Sequence, residues 1–415
     1  MGPGAGRWPV LGLMLMTLFS GGTLRSQPAP TVQLAVPAPG TNYVFTTSAQ
    51  SGNYYTMLSS TNLSNWTSST PLYPGGATIS WTNPVPAQPK MQFFRTQVNP
   101  TNLAVITNYH GWTNAIYLSN GLVEAFIVPN AGRVMQFRWA GTTNGPFWEN
   151  SLLYGHTSTS TNWNTTGAFG GDKSWPAPQT DWSGGWPPPT GFDGEPYTYG
   201  ITNGVVTITS QVDSSYEIQV TRTIQLLFNQ AVMVINTVFH RVASASENKP
   251  VGIWVITQVS DAGTDPLGIY VPVPTNSIFT PTNYLEREST QVMPANWVST
   301  SDLISFTRNL TSQTELGFDA GSLAWISTNW MLRIDGPRVP GLNKTNYPNS
   351  GCSTSVYTNP NPTPYEELEF FAPLTNLVSG QSMSFVTTYN LFYRSNSNPT
   401  VDACAILGLP APPPP

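Results

Sequence analysis

Residues 216–228, YEIQVTRTIQLLF, set Gln219, Thr221, Thr223 and Gln225 against Val220, Arg222, Ile224 and Leu226. A period of two marks a half-buried antiparallel strand, because successive side chains leave the backbone on opposite faces. Similar runs follow one another, among them LVEAFIVPN, RVMQFRWAG, VVTITSQV, AVMVINTVFHRV, VGIWVITQV and SLAWIST. Almost nothing carries the 3.6-residue period of a helix. The chain is therefore expected to be all-β. Strands at roughly 10–15-residue intervals with Asn/Gly turns, and no repeat of ~40–50 residues, favour a large antiparallel sandwich over a propeller.

At 415 residues there is room for two domains. Arg7 and the apolar run at 9–20, PVLGLMLMTLFS, read as an export signal over 1–26, which places the mature protein outside the cytoplasm: secreted, periplasmic or in the cell envelope. The run is shorter than the ~20 apolar residues a spanning helix needs, so no integral membrane segment is expected once the signal is removed. Residues 27–40 read as a Pro/Ala-rich linker and 41–98 as a small β-sandwich accessory module. The main domain spans 99–394, and 395–415 form a Pro-rich, polyproline-like tail. Trp66, in the small module, reads as a core residue. Cys352 and Cys404 could tie the tail to the last sheet in an oxidising compartment or stay as two thiols, and spacing does not choose between these.

Only 9% of residues are Asp, Glu, Lys or Arg, and the net charge is −5 with 16 Lys plus Arg. Nucleic-acid binding needs a basic stripe, which this chain lacks. A polyanionic substrate is disfavoured for the same reason. His110, His156 and His240 are scattered and form no metal-ligand spacing, so neither metal nor cofactor is called for. The protein is expected to act as a monomer.

The segment 170–195, GGDKSWPAPQTDWSGGWPPPTGFDGE, gathers Trp175, Trp182 and Trp186 among Asp172, Lys173, Gln179, Asp181, Asp193 and Glu195. Its prolines and glycines suit turning or extended chain, so it reads as a long loop rather than a central strand. Long ordered loops tend to carry function. Apolar ring faces beside carboxylates, amides and a cation match a sugar, which has one C–H face and a rim of hydroxyls. A plain lid over the end of the sandwich would also account for them.

In 365–371, YEELEFF, alternation puts Glu367 and Glu369 on one face and Leu368 and Phe370 on the other. Two carboxylates side by side are tolerable in water, but in a closed cleft one must hold its proton, which suits a general acid or base. A solvent-facing pair is the plainer reading of the strand alone.

Several segments in order between 122 and 392 carry a resemblance. They are AGRVMQF at 131–137, GGDKSWPAPQ at 170–179, FDGEPY at 192–197, TRT at 221–223, WVITQ at 254–258, YPNSGC at 347–352 and ELE at 367–369. The run resembles a family of bacterial domains that share the galactose-mutarotase-like supersandwich fold of the aldose epimerase clan. That resemblance implies a supersandwich preceded by the small β-sandwich, and a saccharide cleft lined by Arg133, Asp172, Lys173, Trp175, Gln179, Trp182, Gln258, Glu367 and Glu369. By analogy with the clan it implies an isomerase in which Glu367 takes the proton from the anomeric hydroxyl, with Glu369 as its electrostatic neighbour or alternative. The clan's catalytic histidine has no counterpart in the matching segment, GIWVITQV at 252–259, so Lys173 or Asp172 would have to supply the acid. Arg133 would orient a hydroxyl or pair with a carboxylate. The alternatives to an enzyme are a non-catalytic sugar-binding module and a structural envelope protein.

Overall fold

The computed structural model describes residues 32–35, 42–49, 53–69, 72, 77–84, 92–100, 102–157, 168–247, 249–261, 267–287, 292–342, 344–360 and 362–411. The expected export signal lies outside them, as does most of the expected linker. The chain divides into two units between residues 101 and 102.

In the first unit two three-stranded antiparallel sheets form. One orders Val32–Ala35, Asn42–Ser48 and Thr78–Pro84; the other orders Thr67–Ser68, Asn53–Ser60 and Phe93–Pro100. Alternation drives them together: Phe45, Tyr55, Met57, Ile79, Trp81 and Phe94 bury one face of each in a shared core. Trp66 is not in that core. It is half-buried in a turn, its indole N–H donates to the Leu63 carbonyl at 3.1 Å, and the Arg95 guanidinium lies 4.3 Å from its ring centre.

The second unit is built on two ten-stranded antiparallel sheets, the large all-β sandwich that the alternation calls for. Across the first, the strands run Leu285–Glu286, Thr314–Phe318, Thr354–Thr358, Tyr365–Phe371, Gly252–Ser260, Asp172–Ala177, Arg133–Trp139, Val123–Val128, Trp112–Ser119 and Leu103–Tyr109. Across the second they run Thr198–Thr202, Val205–Asp213, Ile218–Leu226, Val232–Arg241, Ser382–Tyr393, Trp330–Asp335, Ser322–Ile326, Gly268–Pro272, Leu303–Thr307 and Ala295–Ser299. Ile218–Leu226 buries every second residue, as its pattern requires. Apolar side chains of both sheets, such as Val134, Leu368 and Phe370 from the first and Val220, Ile235 and Leu391 from the second, share one continuous core. In consequence the first sheet has a second face, pointing away from that core, on which a site can be built.

Two segments depart from the sequence reading. Asp172–Ala177, expected as loop, is a central strand. Pro176 is accommodated because the strand pairs along its whole length with Gly252–Ser260 but meets Arg133–Trp139 only at Asp172. Pro399–Leu407, expected as polyproline-like tail, is a helix. Asn398 caps it by accepting from the Thr400 amide at 2.9 Å, Pro399 opens its first turn, and Gly408 closes it in the left-handed region. Ala403, Cys404 and Ile406 of this helix pack on Tyr270, Leu303, Ala324 and Ile326 of the second sheet. Cys352 and Cys404 are buried free thiols.

Candidate functional site

Register across the first sheet places the polar groups in rows. Glu315 stands opposite Tyr357, Tyr357 opposite Glu367, and Glu367 opposite Gln258. In the neighbouring row Ser355 faces Glu369, Glu369 faces Ile256, and Ile256 faces Lys173. A third row carries Phe371, Trp254 and Trp175. Because Leu368 and Phe370 point into the core, Glu367 and Glu369 point the other way.

Two glycines make the turn into the strand Asp172–Ala177. Gly170 and Gly171 lie at φ +97° and +69°, and a Cβ at Gly171 would come within 2.5 Å of the Val134 carbonyl oxygen. Only glycine lets the chain turn so close to its neighbour before the strand Asp172–Ala177 starts.

The face opens into a cleft of about 370 Å³. Its walls are aromatic, from Trp175, Trp186, Trp254, Tyr357 and Tyr365, and its polar groups are Gln179, Gln313, Glu315, Glu367 and Glu369. The indoles meet edge to face: Trp175 lies 5.3 Å from Trp254 and 5.8 Å from Trp186, centre to centre. Trp186 is 52% exposed and forms the solvent rim, while Trp175 and Trp254 are buried at the base.

Glu367 is gripped from beneath. Its Oε1 accepts from Lys173 Nζ at 3.1 Å and from Gln258 Nε2 at 2.9 Å. The Lys173 ammonium also lies 4.7 Å from the Trp175 ring centre. Burial lowers the pKa of Lys173 from its usual value, opposed chiefly by the charge of Glu367, with Arg133 adding to the lowering. Glu369, 1% exposed, is held protonated well above the usual carboxylate range, first by burial and then by the charges of Glu315 and Glu367. Its Oε2 has no hydrogen-bond partner.

The other expected site residues fall into place behind the cleft or away from it. Arg133 is fully buried and donates to both Asp193 oxygens at 2.7 and 2.6 Å and to the Gly170 carbonyl at 2.8 Å. Asp193 also accepts from the Trp175 indole at 2.7 Å, so Arg133 positions Trp175 through Asp193 and does not reach the cleft. Trp182 sits behind Trp175, at 5.5 Å, and donates to the Pro176 carbonyl at 2.9 Å. Asp172 lies on the opposite face of its strand from Lys173. There it is enclosed between the sheets by Arg222 and Tyr389, with the Thr257 hydroxyl donating at 2.8 Å, and it is not available as a proton donor in the cleft. Trp254, Glu315, Tyr357 and Tyr365 were not singled out from the sequence. The alternation in TELGF, which sets Glu315 and Gly317 on one face, was the available signal for Glu315.

No known family description matches the sequence, and no curated protein matches it. Among solved structures, the chain is similar to a galactose mutarotase-like protein of Lactobacillus casei, at 11% identity over 67% of this chain and 100% of that one, with a TM-score of 0.47. A candidate aldose 1-epimerase of Escherichia coli K12 aligns at 10% identity over 67% and 98% of the two chains, with a TM-score of 0.47. A galactose mutarotase related enzyme of Lactobacillus acidophilus aligns at 10% identity over 68% and 98%, with a TM-score of 0.45. At these values the likeness transfers neither residue roles nor an activity to this chain.

Proposed function

We propose that the cleft binds a neutral saccharide and that Glu367 serves there as general base in an aldose-epimerase-like interconversion of anomers. The observation that carries this reading is the coincidence, in one cleft of about 370 Å³, of an aromatic base formed by Trp175 and Trp254 with a carboxylate held by Lys173 and Gln258. A sugar's C–H face lies against indole, and its hydroxyls reach the carboxyl and amide groups. Of the carboxyl groups lining the cleft Glu369 keeps its proton, while Glu315 and Glu367 share the lining with no lysine or arginine, so a sugar bearing a phosphate or carboxylate would meet repulsion.

In the reaction, Glu367 takes the proton of the anomeric hydroxyl while the bond from the anomeric carbon to the ring oxygen breaks. The open chain rotates and closes on its other face. Lys173 and Gln258 are positioning residues in this scheme: they fix the Glu367 carboxylate and do not themselves line the cleft.

A second reading, a sugar-binding module without turnover, is favoured by one observation. None of His110, His156 and His240 lines the cleft. On the strength of the apolar run at 9–20, we also propose that the protein acts outside the cytoplasm.

Polarimetry separates the two readings. Wild-type protein should speed the approach of freshly dissolved α-aldoses to anomeric equilibrium, and Glu367→Gln should lower that rate by more than ~10²-fold. Sugar binding with no acceleration by the wild type would establish the module instead.

A further inference from the structure

Ring opening needs an acid for the ring oxygen as well as a base, and the cleft offers few candidates. Asp172 is sealed between the sheets by Arg222, Tyr389 and Thr257. The Lys173 ammonium points at Glu367, which stands between it and the opening. No histidine lines the cleft. Glu369 does line it, two residues from Glu367 on the same strand face, which sets the two at a Cα separation of about 7 Å. A pyranose's anomeric hydroxyl and ring oxygen are both bonded to the anomeric carbon, so a ring held between two carboxyls at that spacing can touch both. Glu369 Oε2 is buried and without a hydrogen-bond partner in the protein, so a proton on this carboxyl is not committed to a protein acceptor at that oxygen.

Building on the epimerase-like reading, we infer that Glu369 is the catalytic acid, standing in for a histidine with a carboxyl group that donates its proton to the sugar's ring oxygen. As the bond from the anomeric carbon to the ring oxygen breaks, Glu367 accepts the hydroxyl proton and the anomeric carbon becomes a carbonyl. The ring oxygen takes the Glu369 proton and leaves as a hydroxyl. Closure on the opposite face runs the same transfers backwards, so both carboxyls regain their starting states and nothing else is consumed. The environment fits the role: burial and the neighbouring charges of Glu315 and Glu367 keep Glu369 protonated, while Lys173 and Gln258 stabilise charge on Glu367. Environments that separate the protonation of two nearby carboxyls assign acid and base between them.

The test combines kinetics with a direct view of the proton. Infrared difference spectra of wild type minus Glu369→Gln at pH 7 should show a protonated carboxyl band that shifts to lower wavenumber in deuterium oxide and disappears at alkaline pH. Polarimetric kcat against pH should fall on the alkaline side in the wild type as Glu369 ionises, and Glu369→Gln should lose about 10²-fold or more in kcat with little change in KM. Glu369→Asp, which keeps the acid but shortens its reach, should recover part of the loss. A Glu369→Gln protein with wild-type kcat, or a wild type with no protonated band, overturns the inference. If Glu367→Gln is inactive while Glu369→Gln is not, the base stands and only the acid is wrong. If the wild type accelerates no sugar, the epimerase-like reading falls and this inference with it.

Discussion

The Lys173 ammonium lies 3.1 Å from Oε1 of Glu367, across 194 residues of sequence, and both groups are almost wholly inside the protein. Two charges withdrawn from water in this way seldom add stability, because desolvation offsets their attraction. The lowered pKa of Lys173 says the same of this pair, since burial is the largest influence on it. The arrangement makes sense as positioning: an ammonium that cannot leave fixes the rotamer and charge of the carboxylate above it.

Breaking the pair should therefore cost more than replacing it. Lys173→Met alone should destabilise by about 3–5 kcal/mol by leaving a carboxylate without its cation, whereas Lys173→Met with Glu367→Leu should recover most of that loss. Urea denaturation of the four proteins of this cycle checks the expectation, and equal destabilisation by the single and double variants would contradict it.

Asp172 should matter for folding alone. Asp172→Asn strips a fully buried guanidinium, Arg222, of its counter-charge, and about 3–5 kcal/mol of stability should be lost. Below the lowered melting temperature the variant should still bind saccharide, since Asp172 faces away from the cleft. A stable Asp172→Asn protein that no longer binds would restore the residue to the site.

Much of this was legible in the sequence. The alternation of Ile218–Leu226 foretold its burial residue by residue, and YEELEFF put Glu367 and Glu369 on one face as found. What alternation cannot show is register. Nothing in the chain says that Lys173 lies diagonally across from Glu367, or that Tyr357 and Glu315 continue its row. Asp172 and Lys173 looked interchangeable because 170–195 read as a loop. Once Asp172–Ala177 is a strand, its period of two sends the neighbours to opposite faces and only one reaches the carboxylates. Pro176 misled, because a proline argues against a central strand unless one edge is left unpaired.

Glu366 offers a test by pH. It points into the core, is 0% exposed, and neither carboxyl oxygen has a hydrogen-bond partner. Burial first, then the charge of Asp261, raises its pKa well above the usual carboxylate range, with Arg308 opposing. The folded state thus keeps a proton that the unfolded chain releases near pH 4.5, so this contribution to stability is full below that pH and is lost as pH rises toward the folded value. Glu366→Leu should abolish that loss and be more stable than wild type at pH 8 by about 1–3 kcal/mol. Chemical denaturation at pH 4 and pH 8 measures both arms; a wild type whose stability is flat over this range would refute it.

Glu149 should titrate near neutrality. Burial raises its carboxyl to about 7, against hydrogen bonds from Tyr109 and Gln136 and the charge of Arg138. The Tyr109 hydroxyl contacts both oxygens, at 2.9 and 3.0 Å. Carbon-13 NMR of the glutamate carboxyls should show one resonance with its midpoint near pH 7 that is missing from Glu149→Gln. The same raised value means stability declining between pH 4.5 and about 7, by at most about 3 kcal/mol. A Glu149 midpoint near 4.5 would contradict the burial argument.

The cleft's charge should show in selectivity. Neutral aldoses should bind at least about tenfold more tightly than the matching 6-phosphates or uronic acids, a difference of about 1.4 kcal/mol. The gap should narrow as salt rises, because screening weakens repulsion at the partly open rim. Competition binding at low and high salt would expose the opposite order if the phosphate were in fact preferred.

Saccharide binding itself is the most direct test. Trp175, Trp186 and Trp254 line the cleft together, so titrating neutral mono- and oligosaccharides into the full chain should change tryptophan fluorescence saturably. Trp186→Ala, at the exposed rim, should weaken that binding by about ten- to a hundredfold without unfolding the protein. No saturable change with any neutral sugar, from a protein whose far-ultraviolet spectrum and melting transition show it folded, would contradict the account.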